Sequence, residues 1–248
     1  MKYSFIFTIF FTSLLLNMKT QASDASWVST VHNVKSENEQ DSAAAIKALE
    51  EDQSLDQKVI EALKEERFVS EALRISSFLK RPSLFGPVLN YAQKNPTGHA
   101  ITAAMSLRQF DESGKLPLFI TELSTSRWSS LSSTSKLVTL FAISELDLSL
   151  SLGQMKRNLE DSSDQVRIVT TRVAGKQFFK KQEKKYAEVI KVALHSSPYQ
   201  LRLEALNAVK KLPRTVHKNF YHEIHKCLSD PRIEVKNLCS EISIEMNK

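Results

Sequence analysis

Glycine is scarce in this sequence, with five residues in 248, and proline adds only seven. All-β architectures need many turns, and turns draw on those two residues, so an all-β fold is excluded. The five glycines, Gly86, Gly98, Gly114, Gly153 and Gly175, are all isolated. No glycine-rich loop can therefore cradle a phosphate, and no Gly-x-Ser-x-Gly elbow presents a nucleophilic serine. With two cysteines, Cys227 and Cys239, neither a disulfide framework nor a four-cysteine zinc site can be built. After residue 16 no long apolar run occurs. The acidic residues lie beside Lys and Arg on helical faces, and no catalytic carboxylate pair stands out. No catalytic residue, cofactor or metal is expected, and the chain does not read as an enzyme.

What is present points to helices and to export. Leu, Ala, Lys, Glu and Ser are abundant, all compatible with helix, and 42% apolar residues suffice for a packed core. Lys2 forms a short positive start, followed by the apolar run 4–16. A membrane-spanning helix needs roughly 20 such residues, whereas a signal peptide takes about 7–15. The reading is a signal peptide over 1–22, cleaved after Thr20-Gln21-Ala22, with Ser23-Asp24-Ala25 as the second choice and an uncleaved anchor as the alternative. No cysteine near the cleavage region could accept a lipid. A secreted or periplasmic chain follows, with no membrane span after cleavage. Residues 23–40 look patternless apart from Trp27, Val28 and Val31, and are expected to be a flexible segment.

From about residue 41 onward the apolar spacing is helical. Breaks recur at Pro82, Asn95-Pro96, Gly114, Ser132-Ser133, Ser162-Ser163, Ser197-Pro198 and Asp230-Pro231, each a stop or cap signal. After the last three comes an aliphatic residue and then a cation: Val166-Arg167, Leu201-Arg202 and Val235-Lys236. A compact residue follows four positions after the aliphatic one: Thr170, Ala205, Cys239. Leu159, Leu194 and Leu228 close the preceding helices. The spacings are 35 and 34 residues, so one unit is helix, short turn, helix.

These stretches carry a resemblance. Asp164-Gln-Val-Arg167, Ser197-Pro-Tyr-Gln-Leu-Arg-Leu-Glu-Ala205 and Ser229-Asp-Pro-Arg-Ile-Glu-Val-Lys236 are similar to the turn and second-helix start of HEAT-like repeats. The likeness is clearest over 154–248. Upstream, Pro96-Thr-Gly-His-Ala-Ile101 and Lys136-Leu-Val-Thr139 keep the phase but lack the Asp and Arg. Tetratricopeptide repeats share the period, but their Trp, Gly and Tyr positions are not found. The resemblance implies an all-α, right-handed α-solenoid of about six helix pairs over 41–248, acting as a protein or ligand scaffold. A stacked helix array also offers a long surface more readily than an enclosed pocket.

Charge nominates a surface. From residue 154 onward stand 19 Lys plus Arg against 11 Asp plus Glu, while 23–153 hold 13 against 17. Such asymmetry accompanies an anionic partner. Lys180, Lys181, Lys184, Lys185, Lys210, Lys211, Arg214 and Lys218 keep the repeat phase and would form one basic edge, and Lys180, Lys181, Lys210, Lys211 and Arg214 have no evident acidic partners at matching positions. The competing explanation is that cations near helix ends complement the macrodipole. A protein or an anionic envelope polymer is the expected partner; nucleic acid is not. The Ser-rich stretch 124–135 reads as a long loop with Trp128 either as a binding anchor or folded back on the array.

His217, His222 and His225 fall on one predicted helix. Their spacing supplies no third zinc ligand, so surface histidines are expected, with a metal- or small-molecule-handling accessory role on the concave face as the alternative function. For the cysteines, a turn at Asp230-Pro231 between antiparallel helices leaves an axial mismatch of about 7 Å. A disulfide needs Cα atoms about 4.4–6.8 Å apart, so two buried free thiols are expected.

Overall fold

The structure, a computed structural model, describes residues 27–34 and 38–246. Among these there are helices and turns and no strand. No helix among them is long and apolar enough to cross a membrane. The proposed signal peptide lies outside the described residues. The chain divides into two compact units, the first ending at Glu112 and the second beginning at Ser113.

The first unit contains helix α1 (27–33), α2 (Glu39–Glu51), α3 (Leu55–Lys64), α4 (Val69–Leu79), α5 (Pro82–Lys94) and α6 (Gly98–Ser106). Helix α3 packs on α4 and on α5, and α6 packs on α4 and on α5. Pro82 opens α5 at its first turn, where its missing N–H costs nothing. Thr97 accepts the Ala100 amide and starts α6. Arg81 ties α2 down: its guanidinium donates to the Leu49 carbonyl at 3.1 Å, the Glu50 carbonyl at 2.9 Å and the Asp56 carboxylate at 2.9 Å. The helix end thus gains partners for carbonyls that the helix leaves unpaired.

Part of the 23–40 segment departs from its expected flexibility. Residues 27–33 are helical, and Trp27 and Val31 are buried. They are one helical turn apart, which places both on one stripe. Trp27 meets Phe68 edge to face at 6.5 Å between ring centres. Two apolar side chains are too few for a periodic signal in the sequence, yet they suffice to dock one short helix.

The second unit contains α7 (Lys115–Ser124), α8 (Ser133–Glu145), α9 (Leu152–Leu159), α10 (Asp164–Lys181), α11 (Lys184–Leu194), α12 (Tyr199–Lys210), α13 (Arg214–His217), α14 (Tyr221–Cys227) and α15 (Ile233–Met246). Chain neighbours pack as α7 on α8, α9 on α10, α11 on α12 and α14 on α15. Across these pairs, α8, α10, α12 and α15 contact one another in order, as do α9, α11 and α14. Two rows of helices result. The repeat positions read from the sequence are the ones buried between them: Val166, Leu201 and Val235, then Thr170, Ala205 and Cys239.

A charge ladder links successive pairs. The fourth residue of α8, α10, α12 and α15 is a cation in every case: Lys136, Arg167, Arg202 and Lys236. Lys136 reaches Asp161, three residues before α10, at 2.7 Å. Arg202 grips Asp230, three residues before α15, through two bonds of 2.8 and 3.0 Å. It also donates to the Ser196 and Ser197 carbonyls at 2.9 and 2.7 Å. Both aspartates additionally accept the amide two residues on, Ser163 and Arg232. Burial alone would raise these carboxyls, but the hydrogen bonds from Lys136 and from Arg202, with those amides, outweigh it and hold both below the ordinary value. Lys136 is therefore the counterpart of the arginine that the sequence pattern lacks there.

The last pair carries a disulfide between Cys227 and Cys239, with Cα atoms 6.1 Å apart. This corrects the expectation of free thiols. The axial estimate placed both helix ends level at a tight turn. Here a connection over 228–232 separates α14 from α15, and α15 can start beyond the end of α14, bringing Cys239 level with Cys227.

Candidate functional site

Helices α10 and α12 run in parallel, because their contacts advance in step. Arg172 pairs with Glu204 through bonds of 3.0 and 2.9 Å, and about one turn further along both helices Gly175 faces Ala208. A Cβ on Gly175 would sit 2.7 Å from that of Ala208, well inside the ordinary carbon contact of about 3.5–4.0 Å. The bare glycine is what lets the two backbones approach so closely. Above this contact lies a groove of about 440 Å³, lined by Arg172, Gly175, Lys176, Phe179, Glu204, Ala208 and Lys211.

Its chemistry is mixed in a useful way. Gly175 and Ala208 make an apolar floor. Phe179 stands at the rim with 54% of its surface exposed. Three cations and one carboxylate share the lining. Arg172 is engaged by Glu204, whose hydrogen bond raises the arginine further above its usual pKa. Lys176 lies 3.6 Å from Glu145 and donates to the Ser144 carbonyl at 3.2 Å. Lys211 is exposed and makes no ion pair among the described residues. The groove has an uncompensated positive rim over an apolar base.

The basic edge expected from the sequence is only partly assembled. Lys180 pairs with Asp147 at 3.3 Å and holds that carboxyl below its ordinary pKa. Lys181 donates to the Ser149 hydroxyl at 2.9 Å. Lys185 pairs with Glu183 at 2.7 Å, and Lys210 with Glu241 at 2.6 Å. The view that Lys180 and Lys210 have no acidic partners is thus corrected: Asp147 and Glu241 sit about one repeat away, where a reading of local sequence does not find them. Lys184 lines a separate, more polar cavity of about 550 Å³ on the α11 side. Arg214 and Lys218 are exposed on the short segment after α12. Lys211 alone of the eight joins the α10–α12 groove.

No protein-family model matches this chain, and no curated protein matches it in sequence.

Trp128 is half-buried in a 3₁₀ turn (Trp128–Ser130), with Lys136 over its ring at 5.6 Å. The 124–135 stretch is not one long loop. Ser124 ends α7, and Ser132 accepts the Ser135 amide to start α8. The histidines do not converge either. A 3₁₀ turn (Lys218–Phe220) separates α13 from α14 and breaks the expected helical phase. His217 consequently turns inward and is buried, with neither ring nitrogen partnered, while His222 and His225 stay exposed. Among the described residues no group of three or more His, Cys, Asp or Glu is placed to hold a metal ion.

The groove residues other than Lys211 escaped the sequence reading. A signal was available. Arg172, Gly175, Lys176 and Phe179 follow helical spacing on one stripe, and an isolated mid-helix glycine often marks a packing reason.

Proposed function

We propose that this chain is an exported, non-catalytic binding module that holds a partner of the cell envelope on the row formed by α8, α10, α12 and α15. In this reading the paired helices are HEAT-like units of a right-handed α-solenoid, and the signal peptide over 1–22 delivers the chain to a secreted or periplasmic site. The observation that carries the proposal is the α10–α12 groove, where an exposed aromatic ring and an unpaired lysine flank a floor made of backbone and a methyl group. Exposed apolar surface rimmed by polar groups marks interaction sites, and the groove's one carboxylate, Glu204, is taken up by Arg172. Ion pairs along the row, Glu145 with Lys176, Arg172 with Glu204 and Lys210 with Glu241, support a pre-ordered surface, which lowers the cost of binding.

The test is site-specific photo-cross-linking. A benzophenone amino acid replaces Phe179 in one variant and Val192, exposed on α11, in another. Incubation with envelope extract should give discrete adducts from position 179 and none from 192. Adducts from 192 alone, or from neither, would defeat the assignment of the binding row.

A further inference from the structure

The geometry points to an acidic peptide segment carrying one large apolar side chain as the occupant of the α10–α12 groove. This inference rests on the binding-module reading and adds the ligand's chemistry to it. Charge complementarity supplies the first argument. The lining holds Arg172, Lys176 and Lys211 against the single carboxylate of Glu204. Arg172 spends its guanidinium on that carboxylate, and Lys176 leans toward Glu145 at 3.6 Å. Lys211 remains without an ion pair among the described residues, so the rim has an unmet demand for negative charge.

The second argument is shape. Arg172, Gly175 and Phe179 on α10, with Glu204 and Ala208 on α12 and Lys211 just past its end, make two parallel ridges with a shallow valley between them. The valley is open to solvent, and its volume of about 440 Å³ falls in the lower part of the range for ligand sites, roughly 300–1,000 Å³. That accommodates one large side chain with a short piece of its backbone, not a folded surface. The floor is Gly175 backbone and the Ala208 methyl, with the Phe179 ring as a wall. None of these offers a hydrogen bond to a base edge or a sugar. An apolar side chain fits the floor, and carboxylates on either side of it meet Lys176 and Lys211. A nucleic-acid strand would satisfy the cations and could stack a base on Phe179, but it would bring a phosphate close to Glu204.

The experiment is fluorescence polarisation on the full chain with fluorescein-labelled decapeptides. One is acidic with a central phenylalanine, one is acidic with a central serine, and one is basic with a central phenylalanine. A labelled ten-nucleotide oligothymidylate is run beside them. The acidic phenylalanine peptide should bind at least tenfold tighter than the other three, and its affinity should fall as salt rises. Lys211→Glu should weaken it about tenfold and Phe179→Ala about fivefold, while Val192→Ala leaves it unchanged. Circular dichroism checks that each variant keeps its helix. Equal binding of the serine and phenylalanine peptides, stronger binding of the oligothymidylate, or indifference to both Lys211→Glu and Phe179→Ala overturns the inference. Should no peptide bind while position 179 still yields cross-links to an envelope partner, the ligand class is wrong and the binding row survives. Should both fail, the binding row is wrong as well.

Discussion

Two joints in the second unit can be set side by side. Before α15 the chain offers Asp230, which accepts two bonds from Arg202 and the amide of Arg232, and a disulfide from Cys227 to Cys239 spans the same turn. Before α12 the equivalent position, three residues ahead of the helix, is Ser196. Arg167, which occupies the place of Arg202 one unit earlier, finds no acid there. It pairs with its own neighbour Asp164, and its Nε is buried without a partner. Proline explains part of the difference. An aspartate at 196 would have no amide to accept two residues on, since Pro198 has no N–H. Both joints nevertheless keep the same helix packing, with Leu201 and Val235 fully buried. The repeat is defined by its apolar contacts, and the polar ladder reinforces some joints and not others.

The comparison can be broken at its strong joint. The side chains of Arg202 and Asp230 are 13% and 8% exposed. Removing one partner of a fully buried pair costs about 3–5 kcal/mol, and with this residual solvent contact Asp230→Asn should cost about 2–4 kcal/mol. Thermal melting should show a drop of roughly 5–12 °C. The pH dependence has a definite sign. The folded carboxyl is held below its ordinary value, so its contribution is present above about pH 4 and lost as the pH falls through the folded value. The gap between wild type and Asp230→Asn should therefore close below about pH 4, and a gap independent of pH would count against the ion pair.

Next in size is the covalent lock. Cys239→Ser should cost about 2–3 kcal/mol, the range for closing a loop this short. Denaturation of the wild-type chain with and without reductant should show the same difference, and the variant should not respond to reductant. At the weak joint, Ser196→Asp should give Arg167 a partner and raise stability by about 0.5–1 kcal/mol, as for a partly exposed pair. A loss instead would mean that the Pro198 turn cannot present the carboxylate. The smallest effect belongs to Arg167→Met, which removes an unpartnered buried donor and an exposed bridge together. Its melting curve should lie within about 0.5 kcal/mol of wild type.

How far the sequence could be read follows from which residues do the work. Helix starts were legible where Pro82, Ser132, Ser163 and Pro198 act locally, within one turn. Helix ends were not. Past the ends of helices, Glu66, Lys80, Asp147 and Gln182 take the left-handed conformation, where glycine would be the usual signal. The packing phase was legible because Val166, Leu201 and Val235 repeat with the period. The partners of the cations were hidden, because Lys210 meets Glu241 and Lys180 meets Asp147 only after folding. The groove was hidden for the same reason: its two walls are 32 residues apart in sequence, as Arg172 and Glu204 show.

The spacing between α10 and α12 is set by a hydrogen atom. Gly175→Ala would need its new methyl and Ala208 to separate by roughly 1 Å to reach ordinary contact, and the simplest response is for the helices to splay. The width of the groove would thus be retuned from its own floor, with the charges at its rim unchanged. Two otherwise similar chains with alanine and glycine at this position could present the same rim charges and the same aromatic wall, yet admit different side chains.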